Sequence, residues 1–247
     1  MNFAPPSVKR RLRRISRVCY VRLMDRELLN KKAVAKAAVQ LVQSGMQIGL
    51  GTGSTAHFFI EELIRRKQEG LSVKALASSS STAAQAEAGG IPLLNPETTF
   101  SLDLCFDGAD EIDTAGQMIK GGGGALLREK IVASMSKEMI VLIDETKRVA
   151  KLGQFPLAVE VIPFGCQATQ KAIGIPSTFR KNRDGTPFLT DNGHYILDLD
   201  LKKITFQPAT LDLFLHTLPG VVETGFFLNM AGRIIVGYQQ GEVKIVS

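Results

Sequence analysis

The sequence predicts an α/β fold: a mostly parallel, Rossmann-like sheet flanked by helices, with a ferredoxin-like α+β subdomain inserted before its last strands. Three observations carry this. Between Met46 and Ile143, short apolar runs alternate with stretches of helical apolar spacing, which implies parallel strands covered by helices on both faces. Beyond Phe155 the order becomes β-α-β-β-α-β, the split βαβ pattern. Three segments rich in glycine or acid fall where the earlier strands end, which is where open α/β sheets take their ligands.

The elements follow in order. Asp25 to Gln43 places Leu28, Leu29, Ala33, Val34, Ala37, Leu41 and Val42 at helical spacing, and Ser44-Gly45 ends the helix. Met46–Leu50 reads as a buried strand entering Gly51-Thr52-Gly53. Residues 54–68 return to helical spacing through Phe58, Phe59, Ile60, Leu63 and Ile64. Ser72–Ala77 is a strand, followed by a Ser78–Thr82 hydroxyl cluster and a short Ala-rich helix. Leu102–Phe106 is a strand that runs into acids, Ala125–Ser136 a helix and Met139–Ile143 a strand. In the second part, strands are expected at Leu157–Ile162, Ser177–Lys181, Tyr195–Leu199 and Val221–Leu228. Helices are expected at Gln167–Ile173 and, after Pro208, at Ala209–Leu218. Asp184-Gly185 and Asn192-Gly193 mark turns. Strands at Arg233–Tyr238 and Val243–Val246 close the chain. The expected organisation is a basic extension over 1–23, one α/β domain from 24–154 and 229–247, and the α+β subdomain over 155–228.

Composition narrows the class. The 247 residues are 45% apolar and 22% charged, ordinary for a globular protein with a full core. No apolar run approaches the ~18 residues of a membrane helix, so no membrane partner is expected. The net charge of +6 is concentrated in residues 1–23, with seven basic side chains and no acid; the remainder carries 23 basic and 24 acidic residues. Met24 makes a plausible start, so the leader is expected to be an upstream-start artefact or a disordered extension rather than a transit peptide or a nucleic-acid arm. Cys19, Cys105 and Cys166 lie far apart with no Cys-x-x-Cys pair, which points to a reducing, cytoplasmic setting.

The chemistry lies in three segments. Gly49-Leu50-Gly51-Thr52-Gly53-Ser54-Thr55 fails the dinucleotide fingerprint, because Ser54 stands where the third glycine belongs, and no Gly-Lys-Ser/Thr follows. What remains is a strand–loop–helix turn. It is either a plain turn with Ser54 capping the helix or an anion cradle on which Thr52, Ser54 and Thr55 converge. Asp107-Gly108-Ala109-Asp110-Glu111 with Asp113 does not match a calcium loop, and the three histidines are scattered, so no metal site is expected. Asp107 and Asp110 flank Gly108-Ala109 at a strand end, where a tight turn aims them into the crevice; Glu111 and Asp113 read as a solvated turn. Lys120 precedes Gly121, Gly122, Gly123 and Gly124 and then a helix carrying Glu129. Four successive glycines cost folding entropy, while their amides and the lysine can surround an oxyanion. Glu129, within about two turns of the helix start, can point back toward them.

Gly-Thr-Gly-Ser-Thr, Asp-Gly-Ala-Asp-Glu, Met-Ile-Lys-Gly-Gly-Gly and Arg-Glu-Lys-Ile, in this order, resemble ribose-5-phosphate isomerases of the A type. The likeness runs on through Lys147, Phe155–Pro163, Thr190-Asp191-Asn192-Gly193 and Leu218–Glu223, covering about residues 24–247. It implies interconversion of ribose 5-phosphate and ribulose 5-phosphate in the pentose phosphate pathway, without metal or organic cofactor, by a homodimer or homotetramer. By the same resemblance Glu129 is the base shuttling a proton between C1 and C2. Asp107 and Asp110 serve ring opening and hydroxyl contacts, beside Gly108 and Ala109. Lys120 with Gly121, Gly122 and Gly123 holds the enediolate. Thr52, Gly53, Ser54 and Thr55 form a second substrate loop, and Lys147 and Lys31 supply basic contacts. The chain departs from the pattern at Leu127, where a small polar residue is common, and over Gly165–Gly174, which is short and is expected to clip the subdomain's first helix.

Other readings fit less well. An amino-sugar phosphate deaminase would bring a histidine into residues 107–130, where there is none. A CoA transferase needs a larger adenine-binding surface. A sugar-phosphate-sensing regulator needs a DNA-binding domain, and 23 residues are too few for one.

Overall fold

In the computed structural model, which describes residues 27–238 and 241–246, the first helix spans 27–38 (α1). The basic extension and the expected start of α1 at Asp25 lie outside those residues. Val34, Ala35 and Ala38 of α1 are fully buried, the spacing by which one helical face packs on a sheet. There follow β1 (Gln47–Leu50), α2 (Ser54–Gln68), β2 (Lys74–Ala77), α3 (Ser80–Ala88), β3 (Leu104–Gly108), β4 (Glu111–Ile112), β5 (Met118–Ile119), α4 (Leu126–Ser134) and β6 (Met139–Asp144). The second part holds β7 (Leu157–Val161), α5 (Cys166–Ile173), β8 (Ser177–Phe179), β9 (Tyr195–Leu199), α6 (Pro208–His216), β10 (Val221–Thr224) and β11 (Phe226–Phe227). β12 (Ala231–Gly237) and β13 (Val243–Val246) end the chain.

The main sheet runs β13-β12-β6-β3-β1-β2, and every neighbouring pair is parallel except β12 with β13. Strand β1 therefore has β2 on one side and β3 on the other. That reversal of order opens a crevice between β1 and β3 at their carboxyl ends. The register sets Leu50 beside Phe106, and the Gly51 amide donates to Phe106 O at 2.9 Å. The loop after β1 and the acid ending β3 are thus neighbours. Phe59 of α2 stacks on Phe106 with ring centroids 4.3 Å apart, and α4 covers the other face through Leu126, Val132 and Ala133. Among the described residues no helix is long and apolar enough to cross a membrane.

The second sheet is antiparallel in the order β10-β7-β9-β8, the ferredoxin-like arrangement the sequence predicts. Helix α5 is eight residues long, bounded by Gly165 and Gly174, both at φ +67°. One expectation is corrected. Val221–Leu228 is not a single strand, because the chain changes sheets at Gly225. The Gly225 amide donates to Ala158 O at 2.7 Å, and its carbonyl accepts from the Lys120 amide at 2.8 Å. A Cβ there would stand 2.3 Å from Lys120 O, so only glycine allows this crossing. Beyond it β11 joins a three-stranded sheet, β11-β5-β4, whose middle strand leads into Lys120.

Candidate active site

Strand ends deliver the three segments to one cavity of about 330 Å³, within the range of small-ligand sites. Thr52, Gly53, Ser54 and Thr55 line it from the β1–α2 turn, and Gly108, Ala109 and Asp110 from the end of β3. Lys120 to Gly123 and Glu129 line it from the loop after β5 and the start of α4; Lys31, Glu27 and Lys147 complete it. Two helices begin at this cavity without a capping side chain, α2 after Gly53 and α4 after Ala125. Their first-turn amides and positive dipole ends favour an anion.

Asp107 is the one site residue that does not line the cavity. It lies 1% exposed behind Lys120. The Lys120 ammonium stands 2.9 Å from Asp107 Oδ2 and 3.3 Å from Glu129 Oε2, and donates to Gly108 O at 2.6 Å. It also sits 5.3 Å from the centre of the Phe227 ring. One buried cation thus lies against two buried acids and balances one negative charge, which is what permits an ion pair there. Neither Asp107 Oδ2 nor Glu129 Oε2 receives a well-formed hydrogen bond, so the Lys120 ammonium is what offsets both buried oxygens. Burial, with the Asp107 charge added, pushes Glu129 up to about 8. Burial also raises Asp107, against the pull of Lys120. Burial lowers Lys120, but the charges of Asp107 and Glu129 outweigh it and hold the ammonium above its usual range.

Asp110 is half-buried and accepts from the Gly122 amide at 2.8 Å, fixing the glycine loop, while Gly121 adopts φ +104°. Besides Asp107, which the turn does not aim into the crevice, three expectations change. The Thr52 hydroxyl does not aim into the cavity with Ser54 and Thr55; it bonds Ser78 and Ser79 at 2.8 Å each. Ser54 does not cap α2, since Gly53 holds the N-cap position. Glu111 is not solvated: it is 3% exposed and accepts from the amides of Gly153 at 2.7 Å and Phe155 at 2.5 Å. Asp113 does form a turn, accepting from Ala115 and Gln117.

Phe227, Ser78 and Ser79 also support the site, beyond the residues the three segments supply. The Ser78–Thr82 cluster at a strand end was a usable signal; nothing local marks Phe227. Elsewhere Asp212, His216 and Glu223 bring three possible metal donors within 4.8 Å of one another. The Lys130 ammonium, 2.7 Å from Glu223 Oε1, already supplies the positive charge there.

Gly51 makes room for Asp107: a Cβ on it would fall 2.0 Å from Asp107 Cγ and 2.5 Å from its Cβ. Gly51→Ala is expected to lose about 1–3 kcal/mol by overpacking. It should also lose most turnover, because Asp107 cannot yield without moving Lys120. Unchanged thermal unfolding and turnover would show that the close approach is not needed.

A model of the family described as ribose 5-phosphate isomerase A (phosphoriboisomerase A) matches residues 74–241. The chain is similar to ribose-5-phosphate isomerase A of Protochlamydia amoebophila strain UWE25, 51% identical over 220 residues, 88% of this chain and 95% of the relative. Ribose 5-phosphate isomerase A from Methanocaldococcus jannaschii superposes with a TM-score of 0.82 at 40% identity, over 88% of this chain and 98% of that one. A D-ribose-5-phosphate isomerase in complex with phospho-erythronic acid superposes at 0.82 with 34% identity, over 88% and 97%.

Proposed function

The chain belongs to the ribose 5-phosphate isomerase A family and interconverts D-ribose 5-phosphate and D-ribulose 5-phosphate, and from that premise we propose how its own residues carry the reaction. Glu129 removes the proton from C2 of the open-chain aldose and returns it to C1; the reverse direction runs through the same enediolate. The observation that carries this is the Lys120 ammonium lying between the Asp107 and Glu129 carboxylates, 2.9 Å and 3.3 Å away. As Glu129 takes the proton its negative charge vanishes, and equal charge appears on the enediolate oxygen. Lys120 then exchanges one anionic partner for another. The charge around it is conserved through the step, so little reorganisation is required. The Gly121–Gly123 loop and the start of α4 assist that oxygen, Asp107 holds Lys120 from behind, and Asp110 serves ring opening and hydroxyl contacts.

With those donors engaged at C1 and C2, the substrate phosphate falls to the uncapped start of α2, the Ser54 and Thr55 hydroxyls, Lys31 and Lys147. The phospho-erythronic acid on the structural relative carries both a phosphate and a planar carboxylate, the two charge centres of an enediolate phosphate. The same reading includes action as a cytoplasmic homodimer or homotetramer, without nucleic acid and with neither metal nor organic cofactor. Sedimentation of the full chain measures the subunit count.

The base must be ionised to act, so kcat/KM is expected to rise with pH along a limb centred near 8, where burial and Asp107 hold Glu129. The test is isomerisation of ribose 5-phosphate by chelator-treated protein across pH 5–10. A limb in the ordinary carboxylate range would remove Glu129 as the titrating base. No turnover, with ribose 5-phosphate still protecting against thermal unfolding, would favour a sugar-phosphate-binding regulator.

A further inference from the structure

Helix α4 carries Glu129 but begins without a side-chain cap at Ala125. Its two neighbours to Glu129 fix it instead. Arg128 reaches the turn before β9: Nε donates to Asn192 Oδ1 and Nη2 to Asp191 O, both at 2.8 Å. Lys130 donates to Glu223 Oε1 at 2.7 Å and to Thr224 O at 2.9 Å, on β10. At 3.6 residues per turn these side chains leave the helix roughly 200° apart, with Glu129 between them. Clamped on both sides by the antiparallel sheet, α4 cannot roll, and Glu129 faces the cavity.

The Arg128 clamp has an anchor. Asn192 Nδ2 donates to Glu160 Oε1 at 3.0 Å. That carboxylate is fully buried on β7; the same oxygen accepts from Thr190 Oγ1 at 3.0 Å and lies 2.9 Å from His194 Nδ1. Its other oxygen, Oε2, has no partner. Burying a carboxylate is costly, and here a single oxygen gathers three residues of one turn. Asn192 is the one of the three that also hydrogen-bonds a side chain of α4. Its amide offers a donor to the carboxylate and an acceptor to the guanidinium, a pairing that aspartate cannot supply.

We propose that Asn192 is a positioning residue for the isomerisation, coupling buried Glu160 to Arg128 and so fixing the rotation of α4 and the Glu129 carboxylate. This rests on Glu129 acting as the base. In the full-length enzyme, kcat, KM and thermal midpoint for ribose 5-phosphate turnover are compared in Asn192→Ala, Asn192→Asp, Arg128→Ala and the Arg128→Ala/Asn192→Ala double variant, with Glu129→Gln as control. A displaced base costs up to about 100-fold, so kcat is expected to fall about 10- to 100-fold with KM within about threefold. Asn192→Asp should fall as far as Asn192→Ala despite its matching shape. The double variant should lose no more than the worse single, because both cut one link. Wild-type kcat in Asn192→Ala, or losses that multiply in the double, overturns the proposal. Should Asn192→Ala fold poorly, Arg128→Ala breaks the same link from a partly exposed position, and an unchanged kcat there overturns it alone. Wild-type turnover in Glu129→Gln would instead remove the base assignment, a separate failure.

Discussion

Glu129→Gln is expected to fold, to bind ribose 5-phosphate, and to turn over about 10²–10⁴-fold more slowly than the parent, the usual share of general base catalysis. It should also be the more stable protein in alkali. Burial, then the neighbouring Asp107 charge, raises Glu129 from 4.5 to about 8, so folding favours its protonated form. The stability that goes with this is fully present below pH 4.5 and is lost as pH rises through 8. Glutamine has no proton to lose. The thermal midpoint of Glu129→Gln should match the parent's near pH 5 and exceed it by a widening margin toward pH 9. Turnover like the parent's would take Glu129 out of the reaction. Parallel midpoints across that range would mean its carboxylate is not held high, and the limb of kcat/KM near pH 8 would lose its cause.

The same burial explains what the sequence could and could not disclose. Strand–helix alternation and glycine loops are local signals, so a parallel sheet with its loops at the strand ends was legible. The reversal of strand order around β1 is instead set by tertiary pairing. The β-α-β-β-α-β succession behind the antiparallel sheet was legible too, because its helices and its longer strands β7 and β9 show their periods. Strands β4, β5 and β11 are two residues each, too short for any period. The break at Gly225 lies within a segment that reads as one strand and is imposed from afar, by Ala158 and Lys120.

The acids show the limit at side-chain level. Asp107, Glu111 and Glu129 are all nearly inaccessible, yet their partners are 13, 42 and 9 positions away, at Lys120, Gly153 and Lys120. Spacing along the chain indicates which acids cluster, not which are desolvated or what neutralises them. That is why Glu111, a structural acceptor for the 153–155 loop, looked like part of a solvated turn. It is also why Asp107 looked like a residue facing substrate rather than the counter-ion behind Lys120.

Lys120→Met should lose both stability and activity, and the pH dependence separates the causes. Without the ammonium, Asp107 and Glu129 face each other uncompensated, 1% and 3% exposed. Breaking a buried pair from one side costs about 3–5 kcal/mol. The chain can relieve this only by protonating the acids, whose pKa values burial already raises. Both should climb further, so the variant should unfold more readily as pH rises from about 5 to 8, more steeply than the parent. Turnover should fall by at least about 10²–10³-fold through loss of the oxyanion donor, and again because a Glu129 carboxyl held higher still leaves less ionised base at any given pH. Lys120→Arg should not rescue it, since three acceptors converge on a single nitrogen and a planar guanidinium cannot reproduce that. Adding Glu129→Gln to Lys120→Met removes one of the two orphaned charges. Thermal midpoints of the double variant should recover toward the parent near pH 8 while turnover stays lost. A Lys120→Met single variant as stable as the parent at neutral pH would mean that the two acids never depended on this cation, and the charge exchange assigned to Lys120 would fall with it.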